Sequence, residues 1–158
     1  MSTERTAPAG VVVDDAPAGR PVLSDLAVGQ VLAERRFHFE RDTLVRYAAA
    51  SGDFNAIHYR DDVAAEVGLP GVLAHGMLTM GTAVQVVVDW VGDPGLVVDY
   101  RVRFTRPIVV DPREGADVDV VAKVGEIDSD AGAARIDLTV TVAGQAVLGK
   151  AQARVSLV

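Results

Sequence analysis

The sequence predicts an α+β domain in which a curved antiparallel sheet wraps around one long central helix. Three observations carry this. From Met77 to Val91 the chain is apolar except for Thr79 and a narrow wedge that holds Thr82, Gln85 and Asp89 at about 100° per residue, so a helix here is buried on most of its circumference. After Gly92-Asp93-Pro94-Gly95 the pattern changes to period two and stays there for four strand-like runs. A chain of 158 residues holds one domain, so helix and strands must share one core. A sheet that covers a largely apolar helix has to curl around it.

Taken in order, the first residues carry Ala-Pro-Ala-Gly twice, at 7–10 and 16–19, a composition that buries too little apolar surface to offset ordering. Residues 1–24 are therefore expected to be a disordered leader and 25–158 the folded domain. Val31, Ala33, Phe37 and Phe39 alternate as a first strand, interrupted by Arg35. Thr43 to Ala50 reads as a short helix, with Asp42 as its cap and Gly52 as its stop. A second short helix is expected from Asp61-Asp62 to Gly68-Leu69-Pro70, with the two aspartates favoured by its dipole. Val86-Val87-Val88 favours a strand within the apolar stretch, but its length without a turn signal decides for helix. The four strands place Val98, Tyr100, Val102 and Phe104 on one face, then Val118 to Val124, Ile136 to Val142, and Val147, Gly149, Ala151, Ala153 and Val155. Turns at 128–132 and at Ala143-Gly144 join the last three as antiparallel hairpins.

Composition narrows the function. Fifteen basic against 22 acidic residues give a net charge of -7, which disfavours nucleic-acid partners. No stretch is long and apolar enough to span a membrane, and Val11-Val12-Val13 is too short for a signal-peptide core, so a cytoplasmic protein is expected. The absence of cysteine removes disulfides, thiolate zinc sites and a cysteine nucleophile. An apolar fraction of 49% and a mean hydropathy of +0.24 exceed what one small protomer hides, so an oligomer is expected.

Two motif matches are accidental. Gly144 to Lys150 satisfies Gly-x-x-x-x-Gly-Lys, but Ala151 stands where a magnesium-binding hydroxyl belongs and the segment reads as strand. Asp128-Ser129-Asp130 begins like a calcium loop but lacks the closing Glu, and reads as a hairpin turn. No Gly-x-Ser-x-Gly elbow supports a serine hydrolase. Three histidines without ligand spacing, and no cysteine, argue against a metal site: His38 belongs to a strand face and His75 to a helix entrance. Arg101, Arg103 and Arg106 read as a solvated strand face, with coenzyme A phosphates or a carrier-protein surface as the alternative.

The informative stretch is Gly52-Asp53-Phe54-Asn55-Ala56-Ile57-His58, just past a helix stop. A compact loop there brings a carboxylate and an imidazole toward one small volume, a pairing suited to proton transfer; an Asx turn at 53–55 with His58 as a partly buried polar residue is the other reading. Ala74-His75-Gly76-Met77-Leu78 follows, where a small residue opening a buried helix leaves backbone N–H groups free to stabilise an anion.

These two segments together resemble the MaoC-like (R)-specific enoyl-thioester hydratase/dehydratase family, which has the hot-dog fold. The region from Ala74 to Thr105, with Trp90 to Gly95 and Val102-Arg103-Phe104-Thr105, is similar to the HadB-type subunit of actinobacterial (3R)-hydroxyacyl-ACP dehydratase. The resemblance covers about residues 25–158. It implies that Asp53 and His58 are the catalytic pair, that Asn55 positions the pair or its water, and that the Gly76 amide polarises the thioester carbonyl. It also implies no metal or redox cofactor, an acyl-ACP or acyl-CoA substrate, and either a homodimer or a heterodimer with a second hot-dog subunit. The family's usual proline after the asparagine is Ala56 here, which loosens the loop without removing a chemical group. One member of the pair would take the C2 proton while the other assists departure of the hydroxyl. A proton held at Asp53 requires burial, which the apolar neighbours Phe54 and Ile57 are expected to supply.

Overall fold

The computed structural model describes residues 20–158; residues 1–19, which make up most of the expected leader, lie outside the described part. Within it a 3₁₀ turn at Leu23–Asp25 precedes the first strand, and Leu23 and Leu26 pack against the core.

The elements are β1 (Val31–Phe39), α1 (Arg41–Ser51), α2 (Asp61–Glu66), α3 (Gly76–Val91), β2 (Val97–Phe104), β3 (Ala116–Asp128), β4 (Ala133–Val142), β5 (Gln145–Ala146) and β6 (Leu148–Ser156). The strands form one antiparallel sheet in the order β1-β3-β4-β6-β2, with the short β5 paired to β4. β1 and β2 are thus the two edges. Helix α3 touches β1, β2, β3 and β4, so the sheet curves around it as the apolar perimeter requires.

The core sits between α3 and the inner sheet face. Ala83, Val86, Val87, Trp90 and Val91 meet Val118, Val120, Val124, Ile136 and Val140, all buried. The β-branched run in α3 is tolerated because tertiary burial of this face outweighs a small intrinsic preference. The polar wedge has a partner. Asp89 pairs with Arg35, the residue that breaks the alternation of β1, and also accepts from Gln85 Nε2 at 2.6 Å. Tyr100 reaches from β2 to donate its hydroxyl to the Met80 carbonyl at 3.0 Å, and burial pushes its phenol well above the ordinary range.

Three local expectations are corrected. The N-cap of α1 is Glu40, whose side chain closes a reciprocal box with Thr43; Asp42 instead lies in the first turn, paired with Arg46. In β2 the register shifts between Val97 and Asp99, so Val97 packs inward and Val98 is exposed, the reverse of strict alternation. In β6 the shift falls at Lys150, held at φ 50°, so Val147 and Leu148 are both buried before the alternation resumes at Ala151. The Ala143-Gly144 turn has φ of 48° and 74°, the mirror-image geometry that closes a two-residue hairpin.

Among the described residues no helix is long and apolar enough to cross a membrane. The Arg35–Asp89 pair yields a stability prediction. Arg35 keeps only 17% of its side chain exposed, so Asp89→Ala strands a half-buried charge and should cost about 1–3 kcal/mol in chemical denaturation. Asp99→Ala, which removes the exposed partner of Arg101, should cost clearly less.

Candidate active site

Two chain segments are tied together at the entrance of α3. Gly52 ends α1 in the left-handed region at φ 77°, which turns the chain sharply and delivers residues 53–58 back toward the segment before α3. That loop holds itself by short-range bonds: the Asn55 amide donates to Asp53 Oδ1 at 3.2 Å and the Ile57 amide to Asn55 Oδ1 at 3.3 Å. Both are Asx-type contacts. Asn55 thereby caps the 3₁₀ turn Ala56–His58 that carries the histidine.

Across the gap, the Leu73 amide donates to the Ile57 carbonyl at 3.1 Å, and His58 Nδ1 donates to the Leu73 carbonyl at 2.7 Å. A carbonyl can only accept, so the proton of neutral His58 sits on Nδ1 and Nε2 is bare. Nε2 lies 3.9 Å from Asp53 Oδ2. That exceeds a direct hydrogen bond, yet one water donating to both acceptors through slightly bent bonds of about 2.8 Å, which span roughly 4–4.5 Å, fits between them.

The burial of the two groups differs. His58 is buried, whereas the Asp53 side chain is 53% exposed and Phe54 points to solvent. The loop therefore does not bury Asp53 behind Phe54 as expected, because the Asx turn directs the carboxylate outward over the site.

Gly76 is the first residue of α3, with His75 as N-cap in extended conformation, φ -60° and ψ 133°. Its N–H belongs to the first turn and has no acceptor within the helix. A cavity of about 360 Å³ opens here, lined by His58, Leu73, Gly76, Thr79, Phe104 and Ile108 among others. A β-carbon built on Gly76 would approach the Phe104 ring to 3.2 Å, so the glycine also lets that ring close over the helix start.

His75 is the residue whose contribution linear spacing hid. It is 1% exposed, its Nε2 donates to the Asp53 carbonyl at 3.1 Å, and its ring stacks on His58 with centroids 3.8 Å apart and planes at 24°. The Tyr47 ring of α1 also meets the His75 ring, tilted by 59° with centroids 4.8 Å apart. Burial holds His75 below the ordinary histidine pKa, reinforced by the neighbouring His58 and opposed by the Asp53 carbonyl and carboxylate. Asp53, His58 and His75 also bring one ligating atom each within 4.8 Å of one another. This trio fits an ion poorly. His58 Nε2 and His75 Nδ1 are the nitrogens left free, but the in-plane lone pairs of two stacked rings run side by side instead of converging about 2 Å from one metal. His38 lies apart, on β1 with Asp117.

With this geometry in view, the family model described as MaoC-like domain matches residues 25–143. The chain belongs to that family. It is 35% identical to a solved MaoC-like dehydratase, with a TM-score of 0.85 over 100% of this chain and 49% of that one. The R-hydratase PhaJ1 of Pseudomonas aeruginosa is 29% identical with a TM-score of 0.72, over 85% of this chain and 83% of that one. The 3-hydroxyacyl-thioester dehydratase X of Mycobacterium tuberculosis is 37% identical over 70 residues, 44% of this chain and 24% of that protein. The chain thus spans about half of the first solved relative, and its match a quarter of the dehydratase. The hot-dog fold expected from the sequence is the fold of these MaoC neighbours.

A buried histidine that resists protonation makes stability depend on pH. Below about pH 6.5 the unfolded chain binds a proton at His75 that the folded chain holds less readily, so this contribution is present at pH 7 and is lost as pH falls. Scanning fluorimetry should show a smaller fall in Tm between pH 7 and pH 5.5 for His75→Phe than for the wild type.

Proposed function

We propose that this MaoC-family chain interconverts (3R)-hydroxyacyl and trans-2-enoyl thioesters by acid–base catalysis, with Asp53 and His58 as the proton-handling pair. The observation that carries this is the bare Nε2 of His58, facing Asp53 Oδ2 across 3.9 Å beside the cavity that His58 and Gly76 both line. In the hydration direction a water donates to both groups. Its oxygen bonds to C3 as its proton passes to the pair, and the C2–C3 π electrons move toward C2 and the thioester oxygen. The Gly76 N–H holds the charge that grows on that oxygen. C2 then takes a proton from the pair, and H and OH have been added across the double bond. Asn55 serves by capping the turn that aims His58.

The substrate carrier is acyl-ACP or acyl-CoA in this reading, in the cytoplasm, with no metal or redox cofactor. Met77 and Phe104 are large, exposed and adjoin the site, and Val98 is exposed on the edge strand β2. These surfaces support a second hot-dog unit joined edge to edge or helix to helix. The solved dehydratase that this chain half spans is one chain of about twice the length, which leaves room for a second unit; in this reading that unit is a separate subunit, as in a HadAB-like heterodimer. The free-standing homodimeric (R)-specific enoyl-CoA hydratase uses the same residues, and PhaJ1 speaks for it. A non-catalytic partner subunit has no need for Asp53, Asn55, His58 and Gly76 together.

Asp53→Asn and His58→Ala should each lower the hydration rate of crotonyl-CoA by ~10²–10⁴-fold, the usual worth of a positioned acid or base. Near-normal turnover in either variant rejects the pair.

Gly76 offers a sharper test of the amide. Proline suits the first helical position, and the extended His75 before it already has the backbone that a following proline requires. Gly76→Pro should therefore keep the helix but delete the N–H, lowering kcat about 10²–10³-fold, while Gly76→Ala retains the N–H and loses less. Both must displace the half-exposed Phe104 ring, so their difference isolates the hydrogen bond.

Partner dependence separates the two assemblies. With the heterodimer, co-expression with the second subunit should raise hydration of a sixteen-carbon enoyl-CoA while leaving the four-carbon rate little changed. Equal long-chain activity of the isolated chain selects the homodimeric hydratase.

A further inference from the structure

We propose that His75 is a positioning residue that sets the separation of the catalytic pair by clamping the Asp53 backbone to the start of α3. The inference rests on the reading of Asp53 and His58 given above. Three observations carry it. First, His75 Nε2–H donates to the Asp53 carbonyl at 3.1 Å, a bond that joins the N-cap of α3 to the residue bearing the carboxylate. Because the carbonyl only accepts, neutral His75 carries its proton on Nε2, the opposite tautomer from His58. Second, the other nitrogen, Nδ1, is buried and has no hydrogen-bond partner, a costly arrangement for a residue that merely fills space. Third, the ring stacks face to face on His58 at 3.8 Å, so the same side chain touches both members of the pair.

The clamp acts where the local loop is weakest. Asp53 is otherwise held by contacts within its own turn, from the Asn55 amide to Oδ1 and from its own amide to Ser51 Oγ at 3.2 Å. These fix the turn's shape but not its placement against α3. His58 is placed independently through Leu73. Without the His75 bond the carboxylate and imidazole would each be anchored to a different part of the chain, and the 3.9 Å gap that one water spans would be free to widen. The groups facing His75 are Tyr47 from α1 and Asp53 and His58 from the loop; a charged His75 would meet the imidazole of His58 directly and would lose its bare nitrogen.

The test uses the full-length chain, alone or with its partner subunit, and crotonyl-CoA as substrate. His75→Phe keeps a ring against His58 but deletes the donor, and should lower kcat by about 10–100-fold with KM within about twofold. His75→Gln keeps an amide N–H able to reach the Asp53 carbonyl without the ring, and should recover kcat to within about threefold of wild type. Wild-type kcat in His75→Phe overturns the proposal, and so does equal loss in both variants. A second measurement needs no variant: ¹⁵N NMR of the histidine side chains at pH 7 should show His75 with its proton on Nε2 and His58 with its proton on Nδ1. A His75 proton on Nδ1 rejects the clamp even if the variants do not fold. Should Asp53→Asn and His58→Ala prove fully active, the catalytic reading fails, while the tautomer measurement still decides whether His75 holds Asp53.

Discussion

The bond from His58 Nδ1 to the Leu73 carbonyl is the constraint on which the site depends. It is short and half-buried, and it does two things at once. It joins the loop after α1 to the strand-like segment before α3, and it determines the tautomer that leaves Nε2 bare. The segment that accepts it is itself fixed, since the Ala74 amide donates to Ile108 O at 2.8 Å and the Val110 amide to Val72 O at 2.9 Å. The histidine is therefore referenced through backbone hydrogen bonds to the body of the domain. A side chain held this way keeps one orientation, which is what the proposed proton transfer requires.

The long helix supplies the second half of the arrangement. Its burial fixes where Gly76 sits, because Thr79, Ala83, Val86, Val87 and Trp90 lock its rotation and translation against the sheet. The Arg35–Asp89 pair and the Tyr100 hydroxyl then register opposite flanks of that helix against the two edge strands. An amide aimed at a reacting oxygen needs this kind of rigidity, since hydrogen-bond strength falls steeply with misdirection.

Much of this was legible in the residues. The boundaries of β1 and α3, the stop at Gly52 and the inward faces of β3 and β4 follow from periodicity and turn chemistry, which act locally. The sheet order was not legible, because nothing in β2 announces that it pairs with β6 across the sheet while β1 takes the other edge. The bulges at Val98 and Lys150 escaped for the same reason: they answer to a partner strand's twist. In the site, the closeness of Asp53 to His58 could be read from a short loop. The role of His75 could not, since a residue 22 positions after Asp53 meets it only once α3 has docked. The helix-entrance reading of His75 holds, since it is the N-cap of α3, but nothing in that placement points to Asp53.

The uneven burial of the pair has a consequence for assembly. His58 is enclosed by its own chain, but Asp53 and Phe54 face outward, and the cavity beside Gly76 is walled on its open side by the half-exposed Phe104 at the end of an edge strand. An enolate-like charge is held well only where water is excluded, because the same N–H is worth far less in a high dielectric. One protomer thus builds the donors and acceptors but not the dry enclosure. A second surface laid along β2 and the start of α3 would cover Phe104, Met77 and the mouth of the cavity together. In that arrangement the apolar excess of the composition and the openness of the site would have one cause: the surface that a lone chain leaves exposed would serve as the missing wall of the proposed reaction chamber.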